Sequence, residues 1–407
     1  MQATVSVPSV AREAKASVGQ GIAPARRIVH LTTVHSARDV RIFQKECRSL
    51  AEAGYEVVLI APHDRAEEIE GVRIEPLKRA VGRGRRMTTM AMEIFQKAMH
   101  TPAGIYHFHD PELLPVGLLL KVAGKRVIYD AHEHLANDIL AKRWIPRPLR
   151  GIVSGIAGSI EKLAVLPLDA VVAATPRIAA RFPKSKTTLV QNFPRLEEFL
   201  NYRPRLPYGE RNYCAIYVGS AEISRGAREM IAAAKRLPDR FSATFKFVGG
   251  IDPPEFRQEM EAMSGWERIE YVGFQPRTEV VRHVFDARVG LVVLHPTPGF
   301  VDSQPVKLFE YMAAGIPVVA SCFPKWQTLV NKIDCGLTVD PHDPAAISEA
   351  VTWLFDHPVE ALAKGMRGRD SIQSIYNWGA EARSLLRLYE KCFDGLPARA
   401  IAHDGRA

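Results

Sequence analysis

Apolar positions along the chain follow two alternating patterns. Short runs rich in β-branched and aromatic residues have the composition of buried strands: Arg27-Ile-Val-His-Leu31, Tyr55-Glu-Val-Val-Leu-Ile60, Ile105-Tyr-His-Phe108, Arg126-Val-Ile-Tyr129 and Asp169-Ala-Val-Val-Ala-Ala174. Between the first two, Phe43, Cys47, Leu50 and Ala51 recur at helical spacing, and Gly54 stops the helix. Strands alternating with helices predict βαβ units and a mainly parallel sheet.

The pattern pauses in a polar, proline-rich stretch around Asn192-Phe-Pro-Arg-Leu196 and Tyr202-Arg-Pro-Arg-Leu-Pro-Tyr-Gly209, then resumes. The second series is Cys214-Ala-Ile-Tyr-Val218, Thr244-Phe-Lys-Phe-Val248, Ile269-Glu-Tyr-Val272, Val289-Gly-Leu-Val-Val-Leu294 and Pro317-Val-Val-Ala320. The predicted class is α/β, with two Rossmann-like domains of parallel sheet facing each other across a cleft at the carboxyl ends of their strands. The expected divisions are a flexible tail over 1–25, a first domain over 26–195, a linker over 196–212, a second domain over 213–375, a C-terminal helix over 376–395 carrying Leu385, Leu386, Leu388 and Tyr389, and a tail over 396–407.

Length and composition agree with this division: 407 residues exceed one ordinary core, and 47% hydrophobic with 24% charged residues is a globular balance. No apolar run reaches the roughly 18–20 residues that span a bilayer; the longest, Leu113 to Ala123, is broken by Pro115, Gly117 and Lys121. Met1 to Ala25 lacks the apolar stretch of a signal peptide. The five scattered cysteines have no CxxC or metal spacing, which points to a reducing cytoplasm. Charge is lopsided: residues 1–200 carry 29 Lys+Arg against 20 Asp+Glu, whereas 201–407 carry 25 against 25. The first half therefore faces something anionic.

The segment with the most chemistry is Asp302-Ser-Gln-Pro-Val-Lys-Leu-Phe-Glu-Tyr-Met-Ala-Ala-Gly-Ile-Pro-Val-Val-Ala320. Pro305 suits a helix start, Leu308, Phe309, Met312 and Ala313 give an apolar face, and Gly315 ends the helix. The N–H groups of Val306, Lys307 and Leu308 would be left free at the positive end of the helix dipole, an anion site suited to a diphosphate. Glu310, one turn in, can accept from two vicinal hydroxyls such as those of a ribose.

This string resembles the C-terminal-domain signature of glycosyltransferase family 4, a family of retaining enzymes with the GT-B fold. The resemblance covers roughly residues 27–392, with Tyr217-Val-Gly-Ser220, Phe247-Val-Gly-Gly250, Tyr271-Val-Gly-Phe274 and Cys335-Gly-Leu-Thr-Val-Asp-Pro341 in the order the family shows. It implies that Glu310 binds the nucleoside ribose and that the acid eight positions earlier, here Asp302 in place of Glu, contacts the donor sugar. It places the donor diphosphate near Ser220 and Arg225, where the family commonly has Arg and Lys. It sets His132 beside the donor sugar, and makes Ser303, Gln304, Val306, Lys307, Gly219 and Phe274 donor-site neighbours. The string His35-Ser-Ala-Arg-Asp-Val-Arg-Ile-Phe43 resembles a bacterial polysaccharide branch of the family, which makes His35, Asp39 and Arg41 candidates for substrate contact.

Two clusters, Tyr106-His-Phe-His-Asp-Pro-Glu112 and Tyr129-Asp-Ala-His-Glu-His134, also sit at strand ends. Zinc or manganese ligation is weighed and set aside, because cations and helix N-termini neutralise the diphosphate in transferases of this kind; no metal and no cofactor are expected, and His107, His109 and His134 are read as packing or supporting groups. The basic runs Lys78–Arg86 and Lys142–Arg150, the second beside an apolar stripe of Ile152, Val153, Ile156, Ile160 and Leu163, fit an anionic membrane surface; a loop followed by a core helix fits the second equally well. Aromatic-interleaved strings for nucleic acid are absent, which excludes that partner.

The expected function is transfer of a hexosyl group, with retention, from a nucleotide diphosphate sugar (UDP favoured over GDP) to an acceptor hydroxyl. The expected acceptor is a lipid-linked oligosaccharide of an exopolysaccharide, capsule or O-antigen, and the expected place is the cytoplasm, at the inner face of the cell membrane. Two alternatives stay open: a non-catalytic relative that binds nucleotide sugar or glycan, and another two-domain nucleotide-sugar enzyme, an epimerase or an inverting transferase. A nicotinamide dehydrogenase is disfavoured, because no GxGxxG follows the first strand of either half.

Overall fold

A computed structural model describes residues 26–78, 82, 84, 86–141 and 145–394. Both terminal tails, Arg79, Arg83 and Arg85 of the first basic run, and Lys142, Arg143 and Trp144 of the second lie outside the described residues.

The first sheet holds β1 (Arg27–Leu31), β2 (Glu56–Pro62), β3 (Glu67–Ile69), β4 (Val72–Leu77), β5 (Ile105–Phe108), β6 (Val127–Ala131), β7 (Ala170–Ala173) and β8 (Thr187–Leu189), ordered β3-β4-β2-β1-β5-β6-β7-β8. Only the β3–β4 pair is antiparallel among the described ladders. The second sheet holds β9 (Cys214–Val218), β10 (Thr244–Val248), β11 (Ile269–Gly273), β12 (Val289–Val292), β13 (Val318–Ser321) and β14 (Gly336–Val339), ordered β11-β10-β9-β12-β13-β14 and parallel throughout. Strand order reverses at β1/β5 and at β9/β12, where the loops leaving the carboxyl ends diverge and open a crevice.

Period-two alternation divides the strand side chains of the first sheet between two cores. Val29, Leu31, Val58, Ile60, Tyr106, Phe108 and Tyr129 pack under the helices Ala91–His100, Leu114–Val122 and Arg147–Ala164. Ile28, Val57, Leu59, Ile105, Ile128 and Val172 face the opposite side, under Ile42, Phe43, Cys47 and Leu50. That second face is completed by the C-terminal helix Trp378–Asp394, which buries Trp378, Leu385 and Tyr389 against the first sheet and not the second.

The chain thus passes between the domains twice. Val190 belongs to the first core and Phe193 to the second; Ile372 belongs to the second and Trp378 to the first. The crossings touch, since the Trp378 N–H donates to the Pro194 carbonyl at 2.9 Å. The stretch expected to be a linker is packed: Phe199 and Tyr208 are buried in the second core, and the Tyr208 hydroxyl donates to the Arg288 carbonyl at 3.0 Å.

Candidate active site

A cleft of about 610 Å³ lies between the carboxyl ends of the two sheets. The first domain supplies His35, Asp39, Arg41 and His132; the second supplies Arg225, Asp302, Ser303, Gln304, Val306, Lys307 and Glu310. Gly219 does not line the cleft but adjoins its cations. Ser220 turns inward through its carbonyl, which accepts the Tyr217 hydroxyl at 2.7 Å. Phe274 stands outside, 87% exposed.

The helix Val306–Ala313 points its N-terminus into the cleft, capped by Pro305 in an extended conformation, so that proline precedes the first turn and does not begin it. The Pro305 carbonyl accepts the Leu308 N–H at 3.0 Å. That removes Leu308 from the expected trio of free donors and leaves Val306 and Lys307.

Lys307 is the sharpest feature of this wall. Its ammonium nitrogen is buried without a hydrogen-bond partner and stands 3.8 Å over the Tyr217 ring. Burial, then the neighbouring Arg225 charge, hold its pKa well below the usual lysine value. Gly219, at φ +127°, makes this possible: a Cβ there would lie 3.0 Å from the Lys307 nitrogen. Arg225 extends toward the same spot, its Nε 3.2 Å from Glu222. Gly226, at φ +73°, turns the chain after it, and any Cβ there would strike the Val293 carbonyl at 2.1 Å. Two cations thus converge on a strand end and a helix N-terminus, an arrangement that attracts a phosphate.

Glu310 lies one turn deeper, only 5% exposed. Its carboxylate is 2.7 Å from Nη2 of Arg277, and Nε of Arg277 in turn donates to Glu198 at 2.8 Å. Burial opposes the charge on Arg277, yet Glu310 and Glu198 more than offset it and raise its pKa. Asp302 pairs across the cleft with Arg177 of the first domain and, at 2.8 Å, with Lys325. Gln304 also reaches across, donating to the Gln191 side chain at 2.9 Å.

On the first-domain wall, Nε2 of His132 lies 3.1 Å from Nε2 of His35. Burial opposes the charge on His35, but Asp39, by hydrogen bond and charge, and Asp110 push its pKa up to about 9. His35 therefore enters the pair as the donor and His132 as the acceptor. Burial also opposes the charge on Asp39, yet His35 and the N–H groups of Ile42 and Arg41 hold its carboxyl well below the usual range. Arg41 is committed inward: its fork grips Asp130 through two bonds of 2.8 Å and its remaining nitrogen donates to the Val190 carbonyl at 3.0 Å. His107 and His109 are fully buried, and His134 accepts the Asn137 N–H at 3.2 Å at the cleft edge.

Arg277, Arg177 and Lys45 escaped sequence reasoning. Lys45 is buried, donates to the Asn192 side chain at 2.5 Å and feels the Glu310 charge. Arg277 left one trace, a Pro-Arg step opening a helix just after β11. Lys45 and Arg177 left none, since each depends on a contact far away in sequence.

Two family models match the chain, one described as Glycosyltransferase Family 4 over residues 40–193 and one as Glycosyl transferases group 1 over residues 213–357. Among curated relatives, a D-inositol 3-phosphate glycosyltransferase of Corynebacterium glutamicum is 26% identical over 200 residues, covering 46% of each chain. The putative colanic acid biosynthesis glycosyltransferase WcaL of Escherichia coli is 28% identical over 179 residues, 43% of this chain and 44% of its own. These matches span a little under half the length of those relatives. Of solved structures, sucrose-phosphate synthase from Thermosynechococcus elongatus superposes with a TM-score of 0.73 at 21% identity, over 91% of this chain and 100% of that one. Anabaena HepE in complex with UDP and glucose superposes at 0.69 with 12% identity, over 90% of this chain and 100% of that one.

Proposed function

Because the chain belongs to glycosyltransferase family 4 and has the GT-B fold, we propose that it moves a hexosyl group from a UDP-sugar to a hydroxyl of a lipid-linked glycan during polysaccharide assembly, with retention of anomeric configuration. The observation that carries the donor half is the unpartnered, buried Lys307 nitrogen beside Arg225 and the start of the helix Val306–Ala313. A diphosphate seated there would satisfy Lys307 and turn a buried cation from a cost into a contact. Glu310, oriented by Arg277, is suited to accept from both ribose hydroxyls. HepE, solved with UDP and glucose, favours UDP as the nucleotide.

In this reading the leaving diphosphate gathers negative charge as the glycosidic bond breaks, and Lys307, Arg225 and the helix N-terminus stabilise that charge. The departing phosphate oxygen takes the proton of the acceptor hydroxyl on the face from which the hydroxyl attacks. Asp302 and His132, on opposite walls, hold the sugar between them.

The acceptor half rests on the helix Arg147–Ala164, whose burial is inverted. It packs Ser154, Gly158, Glu161 and Ala164 inward and leaves Ile152, Ile156, Ile160 and Leu163 between 56% and 66% exposed. Leu119 and Val122 of the adjoining helix are exposed as well, so the surface is broad. Such a face beside a net-positive domain suits the headgroup boundary of an anionic membrane, where a lipid-linked acceptor resides. Among the described residues, no helix is long and apolar enough to cross a membrane.

The test is incubation of the full chain with UDP-sugars and a lipid-linked oligosaccharide extract, with the product linkage read by NMR. An α-donor yielding an α-linked lipid product is expected. Release of free sugar alone, a β-linked product or an epimerised nucleotide sugar would overturn the proposal.

A further inference from the structure

Beneath the C-terminal helix, behind Arg41 and His132 of the cleft wall, lies a second cluster of ionisable groups that the transfer reaction does not use. His30 on β1 and His107 on β5 are register partners, His109 follows at the end of β5, and Glu46 comes from the helical turn Ile42–Cys47. All four are 0% exposed, and one ligand atom from each lies within 4.8 Å of the others.

The hydrogen bonds of these rings are arranged as metal ligation requires. Nδ1 of His109 meets the Asp130 carboxylate at 3.0 Å. The Tyr389 hydroxyl bridges Nδ1 of His107 at 2.6 Å and Nε2 of His30 at 3.2 Å. One nitrogen of each ring is thus held by a neighbouring group, which fixes the ring; for His107 that nitrogen, Nδ1, is also the one 3.9 Å from the Glu46 carboxylate. Two of the remaining nitrogens, Nδ1 of His30 and Nε2 of His109, face each other at 2.8 Å. Nε2 of His107 and both oxygens of Glu46 are buried with no hydrogen-bond partner. Arg41 faces Glu46 as a charge, its Nε 3.1 Å from one oxygen, but the N–H of that nitrogen is given to Asp130, so Glu46 accepts no hydrogen bond from it.

We propose that His30, His107, His109 and Glu46 form a closed structural site for a divalent transition-metal ion, zinc by its ligand set, which ties the C-terminal helix to the first sheet through Tyr389. Three imidazoles and one carboxylate with no position open to solvent match a structural centre and not a catalytic one. With metal–nitrogen bonds of about 2.0–2.1 Å, tetrahedral ligand nitrogens stand about 3.3 Å apart. His30 and His109 therefore part by roughly half an ångström as the ion replaces the proton between them. The ion would also give the buried Glu46 oxygens, which have no hydrogen-bond partner, a direct ligand contact.

The test uses the full chain, produced once in zinc-replete and once in metal-depleted medium. Elemental analysis is expected to find stoichiometric metal in the first preparation, released by a chelator only on unfolding. Adding zinc to the second should raise its Tm, and adding cobalt should give the visible bands of a tetrahedral centre. Glu46→Gln, a shape-conserving change, should lower metal content and abolish the zinc-dependent rise in Tm. Metal-free protein from replete medium, with no response to zinc or cobalt, would show that the cluster is a proton-sharing network and overturn the proposal. So would full metal retention in Glu46→Gln together with His107→Ala.

Discussion

Arg277 holds the Glu310 carboxylate at 2.7 Å, with Glu198 behind it. The acid that would bind ribose is therefore fixed in orientation before any nucleotide arrives. Glu310→Ala should weaken UDP binding by about 1.5–3 kcal/mol, the usual loss for hydrogen bonds to a charged group. Arg277→Met should weaken it too, because an unrestrained Glu310 loses its preorganisation. Calorimetry with free UDP decides this; unchanged affinity in Glu310→Ala would remove the residue from the nucleotide site.

Lys307→Met should separate stability from binding. The buried ammonium has no hydrogen-bond partner, so replacing it with a thioether should raise the Tm of the ligand-free protein. The same change should weaken UDP roughly 10- to 100-fold and leave uridine unaffected. The sign with pH follows from the lowered pKa. The unfolded lysine keeps its proton to higher pH than the folded one, so the contribution of Lys307 to stability rises with pH across that interval. Lys307→Met should lose this slope; a Tm that falls on substitution would mean that the nitrogen has a partner.

Asp302 is shared between Arg177 and Lys325. Asp302→Asn should lower turnover by roughly 10²–10³-fold, the scale expected when a charged contact to the reacting sugar is lost. Affinity for free UDP should stay nearly constant, since the proposed partner is the sugar. Steady-state kinetics beside UDP calorimetry tests this, and a parallel loss of UDP affinity would assign Asp302 to the nucleotide instead.

His35 gives a second pH signature. Its folded pKa, about 9, lies above the ordinary histidine value. Its pairing with Asp39 and Asp110 contributes fully below about pH 6.5 and is lost as pH rises through about 9. Chemical denaturation between those limits should show the stability difference between wild type and His35→Gln shrinking as pH rises.

The exposed stripe on the helix Arg147–Ala164 can be tested on vesicles. Ile156→Glu with Ile160→Glu should abolish co-sedimentation with anionic vesicles, because each buried isoleucine contributes about 1.5–3 kcal/mol. Circular dichroism should remain unchanged, since both side chains already face solvent, at 56% and 57% exposure. High salt should weaken the wild-type protein only in part. Binding unaffected by the double substitution would assign the contact to charge alone.

The regular strands of both sheets were legible because their apolar runs are continuous. The strands β3, β4, β8 and β14 were not, being short or interrupted by polar residues, as in Val72-Arg-Ile-Glu-Pro-Leu77. One wall of the cleft was legible too, since Asp302, Lys307 and Glu310, which line it together, belong to one continuous string. Arg41 illustrates the limit: its place after β1 was readable, but its bonds to Asp130 and Val190 join segments 89 and 149 positions away. Helical periodicity likewise revealed the stripe at Ile152 to Leu163 without saying what covers it. The opposite face, small and polar, packs inward, and no spacing rule distinguishes that arrangement from a buried stripe.

The paired crossings at Pro194 and Trp378 have a mechanical consequence. A single tether would let one lobe swivel and tilt freely against the other. Two tethers joined side by side act as a pair of pins, and what remains is rotation about the line through them. Opening and shutting therefore reduces to one angular coordinate. Rotation along it would keep Lys307 and Glu310 facing His35 and His132 across the cleft.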